Sequence, residues 1–252
     1  MSLALDVYVN KLIQFVPWGG FAVQIYHGSS VIVEKPELSK GKKSNDYGRG
    51  FYCTEDIEMA KEWACKGKEP PAFANVYALD CQGLKVLDLS ADPFTVLNWI
   101  AVLLANRTFQ LDLEIAVEVR DYFLANFMPP IADADAVVGY RANDSYFNYA
   151  EAFVSNGLSI SRLNDALRLG KLGIQVALRS EKAFGKLRFV RADEVPWDEY
   201  HARYVSRDVG ARQEWRDSLK KGVSAAAGVF AYDVVRMGLK QGDERIREIL
   251  PA

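Results

Sequence analysis

Short apolar runs alternate along the chain with segments in which apolar residues recur every three or four positions. The runs predict strands, which lie at 21–26, 50–54, 75–79, 84–89, 136–140, 173–178 and 187–190. The third and fourth strands are expected to pair around a turn at 80–83. The helical spacing predicts helices at 57–64, 93–105, 112–126, 144–156 and 159–169, and from Trp197 onward.

Polar residues and prolines mark where these helices begin. Thr54 or Asp56 can cap the first helix, and Asp92 followed by Pro93 has the sequence of an N-cap and a first helical residue. Strands and helices follow one another irregularly, without repeated strand–helix–strand units, so the predicted fold class is α+β. The pattern divides the chain into a helical arm at 1–20, a mixed domain at 21–192 and a helical C-terminal appendage at 193–252.

Composition and charge exclude several classes of protein. Half of the residues are apolar, which rules out a disordered or fibrous chain, and the net charge of −2 gives no electrostatic reason to bind nucleic acid or an anionic membrane. The three cysteines lack the spacing of a zinc site or a disulfide framework, so we expect reduced thiols and no metal. No apolar window is long enough to span a membrane, and the N-terminus lacks the features of a secretory signal. These features predict a cytoplasmic protein.

Candidate chemistry centres on the end of the first strand and the segment before the second. His27 ends a strand and precedes Gly28, so its ring could face a cleft while the glycine lets a ligand approach the backbone; equally, it could hydrogen-bond a neighbouring loop. Two glycines flank Arg49 just before the aromatic strand that contains Tyr52. This arrangement suits a flat ligand, but it also suits a turn that leads into a core strand. Cys53 follows Tyr52 on the strand and is therefore expected to point to the opposite face, into the core.

Taken together, the two segments resemble a known enzyme class. Tyr-His-Gly-Ser at 26–29, Tyr-Gly-Arg-Gly-Phe-Tyr at 47–52 and Met-Ala-Lys-Glu-Trp-Ala at 59–64 are similar to the histidine-tyrosine class of ADP-ribosyltransferases. This is the class of the diphtheria-type toxins and poly(ADP-ribose) polymerases, and the chain most resembles their uncharacterised bacterial relatives. The segments at 137–147 and 169–178 share the likeness, which spans about 21–190. The resemblance implies a split β-sheet core with helical insertions.

The resemblance also implies roles for individual residues toward NAD, the substrate of this class. The Gly28 backbone would clamp the nicotinamide amide, the Tyr52 ring would stack on the nicotinamide, and His27 would hydrogen-bond a ribose hydroxyl, with Ser29 as a further hydroxyl near the ribose. Arg49 and Arg141 are the candidates for the pyrophosphate, since a guanidinium matches phosphate oxygens; either could instead be a solvated surface charge. The segments around 28 and 52 are expected to converge on one hollow that holds the pyridine carboxamide.

Gln175 occupies the position at which this class usually has a glutamate. A glutamine can hydrogen-bond a ribose hydroxyl, but it carries no charge to stabilise a cationic ribose and cannot act as a base. The alternative is a polar side chain on the solvent side of an edge strand. If the acceptor needs a base, Asp144 is the candidate, with a helix N-cap as its other interpretation.

The function implied by the resemblance is mono-ADP-ribosyl transfer from NAD to an acceptor macromolecule. Many bacterial relatives look like toxins encoded beside a small antitoxin, so the resemblance also suggests toxin activity and an inhibitory partner protein. Two alternatives stay open. One is an NAD glycohydrolase, in which water replaces the acceptor. The other is a module that binds NAD or a partner protein without turnover.

Overall fold

The computed structural model describes residues 22–142, 144–168, 173–220 and 228–250. The helical arm predicted at 1–20 lies outside these residues. The strands are β1 (Ala22–Ser29), β2 (Phe51–Thr54), β3 (Phe73–Asp80), β4 (Val86–Asp88), β5 (Ala136–Tyr140), β6 (Ile174–Leu178) and β7 (Leu187–Glu194). The helices are α1 (Ile57–Ala64), α2 (Val96–Asn106), α3 (Glu114–Asn126), α4 (Asp144–Val154), α5 (Ile160–Arg168), α6 (Glu181–Gly185), α7 (Trp197–Lys220), α8 (Ala231–Arg236) and α9 (Glu244–Ile249). The α+β class is thereby confirmed.

The seven strands form one mixed sheet in the order β4-β5-β6-β2-β1-β3-β7. Only β4 and β5 run parallel; the other neighbours are antiparallel. The predicted pairing of the third and fourth strands is wrong, because β3 lies between β1 and β7 whereas β4 lies at the opposite edge. Apolar patterning identifies a strand but does not specify its partner, and β3, which is buried over most of its length, takes two neighbours from elsewhere in the chain.

The sheet opens between β1 and β2. These strands share one paired position, Tyr26 with Thr54, although β1 continues along β3 to Ser29 in register. Beyond Tyr26 the two strands no longer form a regular ladder. The end of β1 therefore lies beside β2 without the backbone pairing that holds the rest of the sheet.

Most of the helices cover one face of the sheet and build the larger hydrophobic core, whereas α6 packs against the other face through Ala183. That core contains Trp99 of α2, Phe123 of α3 and Phe153 of α4. Residues of the predicted C-terminal appendage contribute to the same cluster, among them Val234 of α8 and Ile246 of α9. A second cluster on the other face contains side chains of β1, β2, β3, β5 and β6, including the fully buried Cys53.

Two helix caps refine the sequence prediction. Asp56 caps α1, with its side chain accepting hydrogen bonds from two backbone N–H groups. Asp92 does not cap α2; the helix begins at Val96 behind Thr95, whose Oγ1 accepts from Leu97 N at 3.3 Å. Asn98 completes the cap, because its side chain accepts a hydrogen bond from the Thr95 backbone N–H. The helix therefore begins three residues after Pro93, where the sequence predicted its start. None of the described helices combines the length and apolar character needed to cross a bilayer.

Candidate functional site

The three segments that carry the predicted chemistry lie on neighbouring strands. His27 and Gly28 are on β1, Tyr52 is on β2 and Gln175 is on β6, in the order β6-β2-β1 at the centre of the sheet. Thr54 of β2 pairs directly with Gln175. The fold thus brings residues that are up to about 150 positions apart in sequence onto three consecutive strands.

His27 bridges the opening between β1 and β2. Its Nδ1 lies 2.7 Å from the carbonyl oxygen of Tyr52, and its ring centroid is 4.4 Å from that of Phe51. A carbonyl can only accept, so Nδ1 carries the proton. Burial lowers the pKa of His27, which favours the neutral ring. In that form Nε2 is a hydrogen-bond acceptor.

Tyr52 projects to the opposite face of the sheet from His27. Its half-buried ring packs against the larger core, and its hydroxyl donates to Gly48 O at 2.6 Å and accepts from Tyr47 N at 3.0 Å. Burial raises the pKa of Tyr52, so the phenol stays protonated. The two segments converge as expected, but the rings of His27 and Tyr52 lie on different faces and do not form two walls of one hollow.

Gly28 is tightly covered by α1. A Cβ at this position would lie 1.9 Å from Ala60 O and 2.6 Å from Ala64 N, both of them backbone atoms. Only glycine therefore allows the helix to approach the strand so closely. Ser29 forms a local turn, in which its Oγ hydrogen-bonds the backbone of Val31, and it also accepts from Asn75 Nδ2 at 3.3 Å.

Gln175 is buried on an internal strand, so the exposed edge-strand interpretation of this residue is wrong. Its Nε2 donates to Asp46 Oδ2 at 2.9 Å and to Tyr140 O at 3.1 Å. The β5 and β2 strands on either side of β6 keep the residue away from a sheet edge. The sequence left an exposed position open, because a lone glutamine in a short strand carries no information on how many neighbours that strand has.

Asp46 is the residue that sequence reasoning missed. It is 5% exposed, and its carboxylate accepts from Arg107 Nη1, from Ala142 N and from Gln175 Nε2, each at 2.9 Å. Burial raises the pKa of Asp46, while the hydrogen bonds from Gln175 and Ala142 act against this shift. The only sequence signal was an aspartate in a glycine-bearing loop, a residue type typical of turns.

A second shared partner is the carbonyl oxygen of Tyr140, at the end of β5. It accepts from Tyr47 Oη at 2.6 Å, from Trp99 Nε1 at 3.1 Å and from Gln175 Nε2 at 3.1 Å. These contacts link the loop before β2, the helix α2 and the strand β6. The surroundings of Gln175 are consequently held in place by three separate elements.

The predicted phosphate ligands are engaged with protein groups. Arg49 Nη1 donates to Ser39 O at 3.3 Å, and the Arg141 guanidinium lies 4.1 Å from the Trp63 ring centre in a cation–π contact. Arg141 is also close enough to Asp46 to lower the pKa of that carboxyl. The backbone of Asp144 begins α4, but its side chain lies outside the described residues, so its predicted role as a base stays a prediction.

A cavity of about 450 Å³ lies near the ends of β4 and β5. Aromatic side chains and polar groups line it together, among them Phe94, Phe127, Tyr140, Asn164 and Arg247. Its lining includes Tyr140 but not His27, Tyr52 or Gln175, so it touches the Gln175 cluster through one residue. Within the described parts of the chain, no three His, Cys, Asp or Glu side chains are grouped so that they could hold a metal ion.

Comparison with protein families gives a match over most of the chain. Residues 23–189, about two thirds of the chain, match a family described as protein of unknown function (DUF3990). The match runs from β1 into β7 and stops before α7. Neither the curated proteins nor the solved structures contain a match to the chain.

Proposed function

The chain belongs to the DUF3990 family, and we propose that it binds NAD and transfers the ADP-ribose unit to an acceptor macromolecule. The resemblance to histidine-tyrosine ADP-ribosyltransferases spans about 21–190, nearly the span of the family match. The observation that carries the proposal is the strand order β6-β2-β1, which brings Gln175, Tyr52 and His27 onto consecutive strands. An ADP-ribosyltransferase-like split sheet is part of the same proposal, supported by the opening between β1 and β2.

The reaction needs a leaving group and a sugar that are held still and apart. The bond between ribose C1′ and the nicotinamide nitrogen breaks, its electron pair leaves with neutral nicotinamide, and positive charge develops on the ribose. A nucleophile of the acceptor then forms the new bond to C1′ and loses its proton. Orientation of both parts lowers the barrier without covalent participation of the enzyme.

The resemblance gives His27 the role of a ribose ligand, and because its ring lies on the opposite face from Tyr52, the ribose would have to reach it through the opening between β1 and β2. Its Nδ1 proton is committed to the carbonyl of Tyr52, so the neutral imidazole would offer Nε2 as an acceptor for a ribose hydroxyl. The lowered pKa of His27 keeps this acceptor available at neutral pH. The bond to Tyr52 O also fixes the plane of the ring, which removes a rotational freedom before the substrate arrives.

Gly28 can serve both packing and binding, because the two roles use different atoms. The direction that a Cβ would take, perpendicular to the sheet, is filled by α1. The backbone N–H and C=O groups of a strand lie close to the plane of the sheet. A carboxamide clamp by these groups is thus compatible with the close approach of the helix.

The test is the fate of labelled NAD incubated with the purified chain, with and without a cell extract. Label transfer that depends on the extract supports the proposal, whereas release of nicotinamide at the same rate without extract identifies an NAD glycohydrolase. Absence of both activities, with NAD still bound, identifies a binding module; absence of NAD binding as well overturns the proposed site.

Two substitutions at Tyr52 sharpen this test. Tyr52→Ala removes the stacking face and is expected to weaken NAD binding by about 1–3 kcal/mol, by analogy with base stacking on aromatic side chains. Tyr52→Phe is the matched control, since it keeps the ring and loses only the hydroxyl that binds the loop before β2. Equal dissociation constants for the two variants, measured by calorimetry on folded protein, would remove the Tyr52 ring from the site.

A further inference from the structure

We infer that Gln175 accepts a hydrogen bond from the substrate ribose through Oε1, and that Asp46 is the positioning residue that fixes and polarises it. The inference rests on the proposed NAD site and adds a residue that the resemblance does not supply. The resemblance predicts a carboxylate at position 175 itself. In this chain Gln175 occupies that position, and the carboxylate of Asp46 is hydrogen-bonded to its amide.

The orientation of the Gln175 amide follows from its partners. One end of the side chain lies 2.9 Å from a carboxylate oxygen of Asp46 and 3.1 Å from the carbonyl oxygen of Tyr140. Both partners are acceptors, and only the NH₂ end of an amide can donate to two acceptors at once. Oε1 must therefore point the other way, and no donor within the described residues hydrogen-bonds it. Gln175 is only 3% exposed, so this oxygen is a nearly buried acceptor without a described partner.

Asp46 cannot readily turn away from Gln175. Arg107 holds its Oδ1, while the backbone N–H of Ala142 shares Oδ2 with Gln175. A fixed anion that accepts from the amide increases the electron density on the amide oxygen, since hydrogen bonds in a chain polarise one another. Its negative charge also lies on the side of Gln175 away from the substrate, where it can favour positive charge on the ribose without contacting it.

Register places this acceptor near the proposed stacking ring. Gln175 pairs with Thr54, and Tyr52 is two residues before Thr54, so Gln175 and Tyr52 lie on the same face of adjacent strands. Diagonal neighbours of this kind are about 7–8 Å apart. A ribose attached to a nicotinamide on the Tyr52 ring would therefore be close to Gln175.

The same contacts indicate why a glutamate would not fit at position 175 in this chain. A carboxylate there would lie about 2.9 Å from that of Asp46, and two carboxylates this close cannot both stay ionised at low cost. Exchanging the two groups would not restore the network, because an NH₂ group at position 46 would face the Ala142 N–H and a carboxylate at position 175 would face the Tyr140 carbonyl oxygen. Asp46 and Gln175 thus form a matched pair in the arrangement present, and each partner is tested by its own substitution.

The experiment compares Asp46→Asn, Gln175→Glu and Gln175→Met. For each we measure kcat and KM for NAD cleavage, the NAD dissociation constant and Tm. Asp46→Asn should lower kcat about 10-fold with little change in KM. Gln175→Glu should lower both kcat and Tm, and Gln175→Met, which lacks the acceptor, should lower kcat about 10-fold. Asp135→Asn is the control, because Asp135 is a buried carboxylate that binds Lys85 N and Ser180 Oγ away from the proposed site; its kcat should not change.

The outcomes separate this inference from the proposed function. A wild-type protein that neither binds nor cleaves NAD overturns both. If the wild type is active and Asp46→Asn keeps full kcat, the function stands and the role of Asp46 is wrong. Should Asp46→Asn fail to fold, Gln175→Met keeps the side-chain length but lacks the acceptor; a folded Gln175→Met variant with unchanged kcat also overturns the inference.

Discussion

Gly28→Ala tests whether close packing of α1 on β1 is a structural requirement that exists without any ligand. The added Cβ would lie 1.9 Å from Ala60 O, whereas ordinary contact begins near 3.4 Å. Because the atoms it meets belong to helix backbone, no side chain can rotate away, and strand and helix must separate by about 1.5 Å. Overpacking of this kind costs about 3 kcal/mol, which in a chain of this size lowers Tm by about 6–12 °C.

The assay is thermal unfolding of the ligand-free protein, followed by circular dichroism. Gly210→Ala is the matched control, because Gly210 lies within α7 and, apart from its chain neighbours and the nearby backbone of its own helix, no atom of the described residues is within 4 Å of its added Cβ. This control should be neutral or more stable by up to about 1 kcal/mol, since alanine favours a helix over glycine. If Gly28→Ala melts within about 2 °C of wild type, the packing argument is refuted. A loss of NAD binding at unchanged Tm would then assign Gly28 to the ligand alone.

Three further predictions concern buried polar groups. Arg207→Gln should lower the free energy of unfolding in urea by about 3–5 kcal/mol, because Arg207 binds the carboxylate of the buried Glu62 through two contacts of 2.7 Å. The control Arg203→Gln breaks an exposed ion pair and should lower it by at most about 1 kcal/mol. Equal losses of stability in the two variants would contradict this prediction. The pKa of His27 is lowered from its ordinary 6.5, so the unfolded chain binds the proton more readily and Tm should fall as the pH drops below about 6.5. In His27→Asn, Tm should depend less on pH in this range. An unchanged pH dependence of Tm would show that burial of His27 is not its cause. Asn98→Ala should lower the free energy of unfolding in urea by about 2 kcal/mol or more, because the Thr95 N–H and the Phe127 carbonyl each lose a hydrogen-bond partner at 2.8 Å. A loss below about 0.5 kcal/mol would count against both hydrogen bonds.

Local patterns predicted individual elements well where one face of an element is consistently apolar. The run at 136–140 coincides with β5, and the helical spacing after Asp56 gives α1 with the predicted cap. The strand at 187–190 was predicted too short, because β7 continues to Glu194 with largely exposed residues whose pairing to β3 the apolar pattern does not indicate. The short helix α6 had no apolar repeat long enough to predict it.

The boundary proposed near residue 193 shows a similar limit. The helical pattern after Trp197 was read correctly as helix, and α7 contacts α1 through Tyr200 Oη, which lies 2.8 Å from Glu58 Oε2. Yet α8 and α9 contribute buried side chains to the larger core, together with α2, α3 and α4. Sequence pattern reveals that a helix has an apolar face, but it does not identify the surface that covers that face.

The amino-acid sequence alone determined the α+β class and most element positions, because these depend on residue types at short spacing. The resemblance of the segments around His27 and Tyr52 to an NAD-using enzyme class stays a prediction. Tertiary structure alone decided that the His27 and Tyr52 rings lie on opposite faces, that Gly28 is covered by α1 and that Gln175 is bound to Asp46. Asp46 and Gln175 are 129 positions apart, and strand order and register bring them together. Contacts of this kind depend on which strands become neighbours, and that choice is made by packing of the whole core rather than by any local pattern.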